Sequence, residues 1–322
     1  MSQVEDIQRK KWVSLFLFII VDAIQILLVS ILTLDENTPL VIGFDLSHSN
    51  PFISVSLFLS ITFFQLIMVY YVTLGMLKGK MMFEIYPLFD SKRPYTCKFS
   101  RDDLVNWSMK TAEDSGVTLK RIYIMNSPLP NAFTFSLPFV GAVLVIFSNL
   151  MDLLDEREVQ AIIAHEIGHI KNKDSLVAIF ARMPSFFVDI IYLYFYLRIG
   201  LAVVGALLIQ FDLVLAGIRI LVLVGFFILS RITVFIAHIL IQESSRSAEH
   251  LSDYHAANTI GTGPTLNALI RLGQRVEAIT SLIEEIRWLE SLNPERTGPL
   301  GSSELTRMIS AYPLDAIDEK NA

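Results

Sequence analysis

DEREVQAIIAHEIGHIKNKD, residues 155–174, is the stretch on which the reading of this chain turns. Asp155 and Glu158 form a capping-box pattern just before an apolar-periodic run, which predicts a helix reaching about Lys173. Within it stands His165-Glu166-Ile167-Gly168-His169. Histidines four apart lie one turn above the other on a single helical face, so both imidazoles can reach one metal ion. Glu166 then lies beside a metal-bound water, where it can take the proton during attack on a peptide carbonyl and pass it to the leaving amine. The alternative is a pair of surface histidines on an amphipathic helix.

A catalytic zinc needs a third protein ligand and one open position. The chain has a single cysteine, Cys97, so the metal site must be built from His, Asp and Glu; there are six histidines. Downstream, Glu249 and Asp253 are four apart and share a helix face. One division makes Glu249 the third ligand and Asp253 a carboxylate that accepts the N–H of a ligand histidine. Glu243, His250 and His255 are rivals, and a three-histidine site is a further possibility, although His250 points about 100° away from Glu249 around the helix.

The chain has 322 residues, 53% of them hydrophobic and 18% charged, with a net charge of -6. Soluble globular chains are about a quarter charged. The composition excludes a disordered protein, argues against an ordinary soluble enzyme, and speaks against a nucleic-acid partner. The apolar excess is concentrated in Trp12 to Leu34, Pro51 to Leu77 and Ser175 to Ile241. Each of the first two exceeds the roughly 20 residues needed to cross a bilayer, and the third is long enough for two crossings. The first is too long for a signal-peptide core and lacks a cleavage pattern, so it reads as a retained anchor.

Positive charge marks the cytoplasmic side. Arg9, Lys10 and Lys11 flank the first span, the loop from Asp35 to Asn50 carries no Lys or Arg, and Lys78, Lys80, Lys92 and Arg93 follow the second span. The N-terminus and the segment after Leu77 are therefore expected inside. His169 and Glu249 must meet at one metal, which requires an even number of crossings between them and gives the same orientation. Asp22, Asp189, Arg198, Asp212 and Arg219 fall within or at the edges of these spans. Helices extending past the bilayer would put several of them at its surface.

The expected architecture is a polytopic α-helical membrane protein with four transmembrane helices and an α+β zincin-like cytoplasmic catalytic domain. Its expected organisation is a transmembrane hairpin at 1–81, a catalytic part at 82–173, a second hairpin at 174–241, and the rest of the catalytic domain at 242–322. In the soluble parts, Ser100 should cap a helix that Gly116 closes, and Leu119 to Met125 should be a strand. Residues 132–136 and 141–148 should form a hairpin, and Gly261 should separate two helices.

These features together resemble the HtpX-type membrane zinc endopeptidases, relatives of the CAAX prenyl proteases. The resemblance rests on His165-Glu-Ile-Gly-His169, on Glu249-x-x-x-Asp253 with Ala256-Ala257 after it, on Pro130-Asn131-Ala132-Phe133, and on the order of spans and motifs. It implies that His165, His169 and Glu249 bind one Zn2+, that Glu166 is the catalytic base, and that the substrates are misfolded or selected membrane proteins. The expected setting is the inner membrane of a prokaryote, with the lipid bilayer as the other partner. The chain departs from the family in having Ala248 directly before the ligand Glu, where Arg is usual, and in lacking a His-Pro-Pro stretch near the C-terminus.

Three rivals remain open at this level: an intramembrane metalloprotease, a CAAX-type prenyl protease and a catalytically silent scaffold. The charged residues around the motif argue against the first, and an intact Glu166 argues against the last. A protease that accepts many sequences should hold the peptide main chain at an exposed sheet edge. Asn131, Ala132 and Phe133 are the expected edge, with the Ala132 N–H as a donor to substrate.

Overall fold

The computed structural model describes residues 3–31, 51–78, 82–88, 98–127, 129–137, 140–175 and 210–292, with scattered positions between 193 and 208. The chain divides into two compact units, each assembled from separate stretches: Met1–Thr73 with Leu176–Ala248, and Leu74–Ser175 with Glu249–Ala322.

The second unit is built on a sheet. Its elements are β1 (Met82–Tyr86), α3 (Arg101–Asp114), β2 (Leu119–Met125), β3 (Ala132–Leu137), β4 (Gly141–Phe147), α4 (Ser148–Leu153), α5 (Glu156–Lys171) and α7 (Thr262–Leu292); two helices that precede them and one that falls between α5 and α7 are given below. The strands lie in the order β1-β2-β4-β3. β2 and β4 are parallel, while β1 pairs antiparallel with β2 and β3 antiparallel with β4. β4 lies inside the sheet, and Ala142 through Phe147 are all buried. A strand covered on both faces reads as a continuous apolar run, which is what Ala-Val-Leu-Val-Ile-Phe is.

α5 lies on the face formed by Ile122, Ile124, Ala132, Leu144 and Ile146. Its Val159, Ile163, Ile167 and Ile170 recur every three or four residues and join Leu104 of α3 and Ala268 of α7 in one buried cluster. The helix starts where the sequence predicts: Glu158 Oε2 accepts the Asp155 N–H at 2.9 Å. Arg271 of α7 donates to Glu158 at 2.9 Å and so ties α7 to this first turn. α3 starts at a reciprocal box in which Ser100 Oγ accepts the Asp103 N–H at 3.1 Å and Asp103 Oδ2 accepts the Ser100 N–H at 3.3 Å. Gly116, at φ +70°, turns the chain away after it. Strand β1 and the short α4 were not anticipated from sequence.

The described residues of the first unit are almost all helical. Its described elements include α1 (Gln3–Ile31), α2 (Pro51–Leu77) and most of α6 (Leu213–Thr259). Asp212 caps α6, its Oδ1 accepting the Leu215 N–H at 2.9 Å. The 47-residue helix contains a strongly apolar window of which 18% is buried. Soluble core helices bury such windows; here Leu213, Val214, Leu221, Phe235 and Ile239 stay exposed. Among the described residues this is the helix long and apolar enough, by length and composition, to cross a membrane. α1 touches it where Ser244 Oγ donates to the Lys11 carbonyl at 3.3 Å. The loop at 35–50, most of the first crossing of the expected second hairpin, and the tail after residue 292 lie outside the described residues.

Candidate metal centre

Two helices and one strand of the second unit build the site. α5 presents His165 and His169 from successive turns, and the C-terminal part of α6 presents Glu249 and Asp253. The two helices meet closely at Gly168: a Cβ there would lie 3.1 Å from the Ser252 Cα and 3.3 Å from the Cβ atoms of Ser252 and His255. A side chain there would force the two helices apart by a few tenths of an ångström.

Three atoms converge. His165 Nε2 and His169 Nε2 are 3.1 Å apart, and Glu249 Oε2 lies 3.4 Å from the first and 3.8 Å from the second. Among the described residues these three side chains form the group that could hold a metal ion. Tetrahedral bonds of about 2.0–2.1 Å put neighbouring ligand atoms about 3.4 Å apart, so the separations fit such an ion.

A carboxylate stands behind each ring. His169 Nδ1 is 2.8 Å from Asp174 Oδ2, and His165 Nδ1 is 2.9 Å from Asp253 Oδ1. The second contact is close but off the line of a well-formed hydrogen bond, and both of its atoms are buried without another hydrogen-bond partner. A carboxylate beside Nδ1 favours the tautomer with its proton there, which frees the Nε2 lone pair to face the common point. Two lone pairs 3.1 Å apart repel unless a cation lies between them or one carries a proton. Burial opposes a charge on His165, but the Asp253 and Glu249 carboxylates outweigh it and push the imidazole up to about 10. Bonding to His165 holds the Glu249 carboxyl below its usual range, against the effect of burial.

Glu166 is buried, which raises its affinity for a proton; the two histidines and Thr134 pull the other way. The Thr134 hydroxyl on β3 is 3.0 Å from the Glu166 main-chain oxygen and 3.1 Å from Oε2. On the other side, the Glu249 side chain is 57% exposed, so the convergence point opens to solvent.

Among the described residues β3 is an edge strand. The Phe147 N–H donates to the Asn131 carbonyl at 3.0 Å. Given the pairing of Ala132 with Ile146 and of Thr134 with Leu144, the main-chain groups of Ala132, Thr134 and Ser136 therefore face the open edge. Two of these N–H groups are engaged: Ala132 donates to Asn131 Oδ1 at 2.9 Å and Ser136 to Ser175 Oγ at 3.0 Å. The expected donor, Ala132, is thus already bonded to its neighbour, and Thr134 takes the open position. Phe133 turns to the opposite face, its ring 5.9 Å from that of Phe147.

The rival ligands lie elsewhere. His255 Nε2 bonds Ser115 Oγ at 2.9 Å, His250 is exposed, and Glu243 belongs to the first unit. Sequence reasoning missed Asp174. It lies beyond the end of α5, where Lys173 at φ 58° swings the chain back beneath His169. An acidic residue just past the helix was the available signal, but nothing in the spacing selects it.

The comparisons with known proteins follow the same residues. The pattern of peptidase family M48 matches residues 102–303, well over half of the chain. The chain is similar to a protease HtpX homolog of Aeropyrum pernix, 29% identical over 189 residues, which is 55% of this chain and 53% of that protein. It is similar to protease HtpX homolog 1 of Saccharolobus solfataricus, 29% identical over 164 residues and half of each chain. A protease HtpX homolog of Pelotomaculum thermopropionicum is 26% identical over 209 residues, 62% of this chain and 67% of that protein. The chain spans about half the length of the first of these relatives. The matched region runs from the first turn of α3 past the end of α7 and takes in every residue that converges on the candidate centre; the chain belongs to peptidase family M48.

Proposed function

We propose that this chain is a membrane-bound zinc endopeptidase, in which His165, His169 and Glu249 hold one Zn2+ and Glu166 is the catalytic base. The observation that carries the reading is the meeting of the two Nε2 atoms and Glu249 Oε2 at ligand spacing, with the Glu166 carboxylate buried beside them. Zinc, when bound, supplies a Lewis acid that polarises the scissile carbonyl and acidifies water. Glu166 accepts the proton of the attacking water and returns it to the leaving amine, for which a carboxyl with a raised proton affinity is suited. Asp174 and Asp253 keep the rings turned to the metal. A silent scaffold would have no use for Glu166 at this place.

The substrates on this reading are polypeptides, drawn from misfolded or selected membrane proteins. They lie as an added strand along β3, with Asn131, Ala132 and Phe133 forming its start and Thr134 offering the open main-chain groups. Four crossings are proposed: α1, α2, α6 and one within residues 176–208. The N-terminus and the site face the cytoplasm, following the positive charge, in the inner membrane of a prokaryote.

The test is hydrolysis of an unfolded protein such as casein by the detergent-purified protein, with zinc content measured in parallel. Chelation should abolish cleavage and zinc should restore it. Because metal binding must displace the proton on His165, restoration should need less zinc as the pH rises. Cleavage that survives complete removal of metal would overturn the proposal.

A further inference from the structure

We infer that Thr134 is a positioning residue for Glu166: its hydroxyl holds the carboxylate in place while its main chain forms the open step of the β3 edge. The inference rests on the proposed role of Glu166 as base.

A glutamate side chain has three rotatable bonds, and a base that wanders by an ångström loses much of its rate. Burial alone does not aim it. The Thr134 hydroxyl reaches both the main-chain oxygen and Oε2 of Glu166, at 3.0 and 3.1 Å. It has a single hydrogen to share between them, and with both acceptors on one residue it is oriented towards that residue. Threonine adds stiffness, since its branched Cβ restricts the rotation that swings the hydroxyl. The donor comes from the strand and not from α5, so the position of the base is set by the packing of the sheet against the helix.

Thr134 is also the edge residue whose N–H is not engaged by a neighbouring side chain, between Ala132 and Ser136, which are. A peptide added to β3 would hydrogen-bond the main chain of the residue whose side chain holds the base. Docking of the peptide and alignment of the base would then be fixed by one residue.

The test compares Thr134→Val, which keeps the shape and loses the hydroxyl, with Thr134→Ala and Thr134→Ser. For Val and Ala, kcat should fall about 10- to 100-fold with KM within about twofold of wild type and zinc content unchanged. Serine should recover most of the lost rate. The second readout uses metal-free protein and no activity: the Tm lowering caused by Thr134→Val is measured with Glu166 present and again in Glu166→Ala. A hydroxyl that holds the carboxylate should cost Tm mainly when Glu166 is present. Equal Tm losses in the two backgrounds, or wild-type kcat in both Thr134→Val and Thr134→Ala, would overturn the inference. A wild-type protein that does not cleave would refute the proposed function, and the Tm cycle would still decide whether Thr134 holds Glu166.

Discussion

Behind each histidine of the candidate centre stands a carboxylate, and the two arrive by different routes. Asp253 comes from α6, one turn after Glu249. Asp174 comes from α5's own chain, returned by the left-handed turn at Lys173. The pair Glu249 and Asp253 is legible in sequence because a helical period of four fixes their shared face. Asp174 is not, because its position depends on one backbone angle outside the helix. Such partners orient their rings, and losing one typically costs 10–100-fold in metal affinity. Asp174→Asn and Asp253→Asn should each weaken zinc binding by about that factor, measured by competition with a chelator. Wild-type affinity in both would mean that the rings are held by packing alone.

At the scale of elements, the site depends on how closely α5 and α6 approach. Gly168 lies between the two histidines in sequence, and Ser252 lies between Glu249 and Asp253. A methyl group at 168 would meet the Ser252 backbone at 3.1 Å, and backbone cannot swing aside as a long side chain can. Gly168→Ala should separate the helices by a few tenths of an ångström, with an overpacking cost of about 1–3 kcal/mol. The expected outcome is a lower Tm and weaker zinc binding, read by melting and chelator competition. An alanine variant with unchanged Tm and zinc affinity would show that the helices can slide freely here. Helices α3 and α5 were legible because their first turns carry capping boxes, β2 and β4 because they are rich in branched residues, and β3 because it alternates in polarity after a Pro-bearing loop. Strand β1 escaped because five residues give too short an alternation, and its partner β2 lies some forty residues away. The polar stretch after Gln242 was expected to be helical to about Asn258, and α6 does run through it to Thr259, since helical backbone is indifferent to the switch from apolar to polar side chains.

At the scale of the whole molecule, each compact unit is drawn from two separate stretches of the chain. On the proposed membrane topology, the convergence of His169 with Glu249 requires that the segment between them begin and end on one side of the bilayer. Single cysteines placed after residue 175 and after residue 242, in a chain with Cys97 replaced, should be labelled from the same face by a membrane-impermeant reagent. Labelling from opposite faces would mean that the site cannot form. The apolar run that ends at Ile241 was legible from composition, and its part from Leu213 onward lies in α6, which reaches 47 residues and carries both apolar and polar stretches.

If the buried Glu166 is the base beside a three-ligand metal site, changing it to Gln removes peptide hydrolysis and leaves the metal in place. The most direct measurement is casein hydrolysis by zinc-loaded wild-type protein and by zinc-loaded Glu166→Gln, with metal content determined on the same samples. Equal zinc is expected in both, with cleavage by wild type and a loss of at least about 100-fold in the variant, since only the base has been removed. A variant that holds zinc and cleaves at the wild-type rate would contradict the role of Glu166 as base.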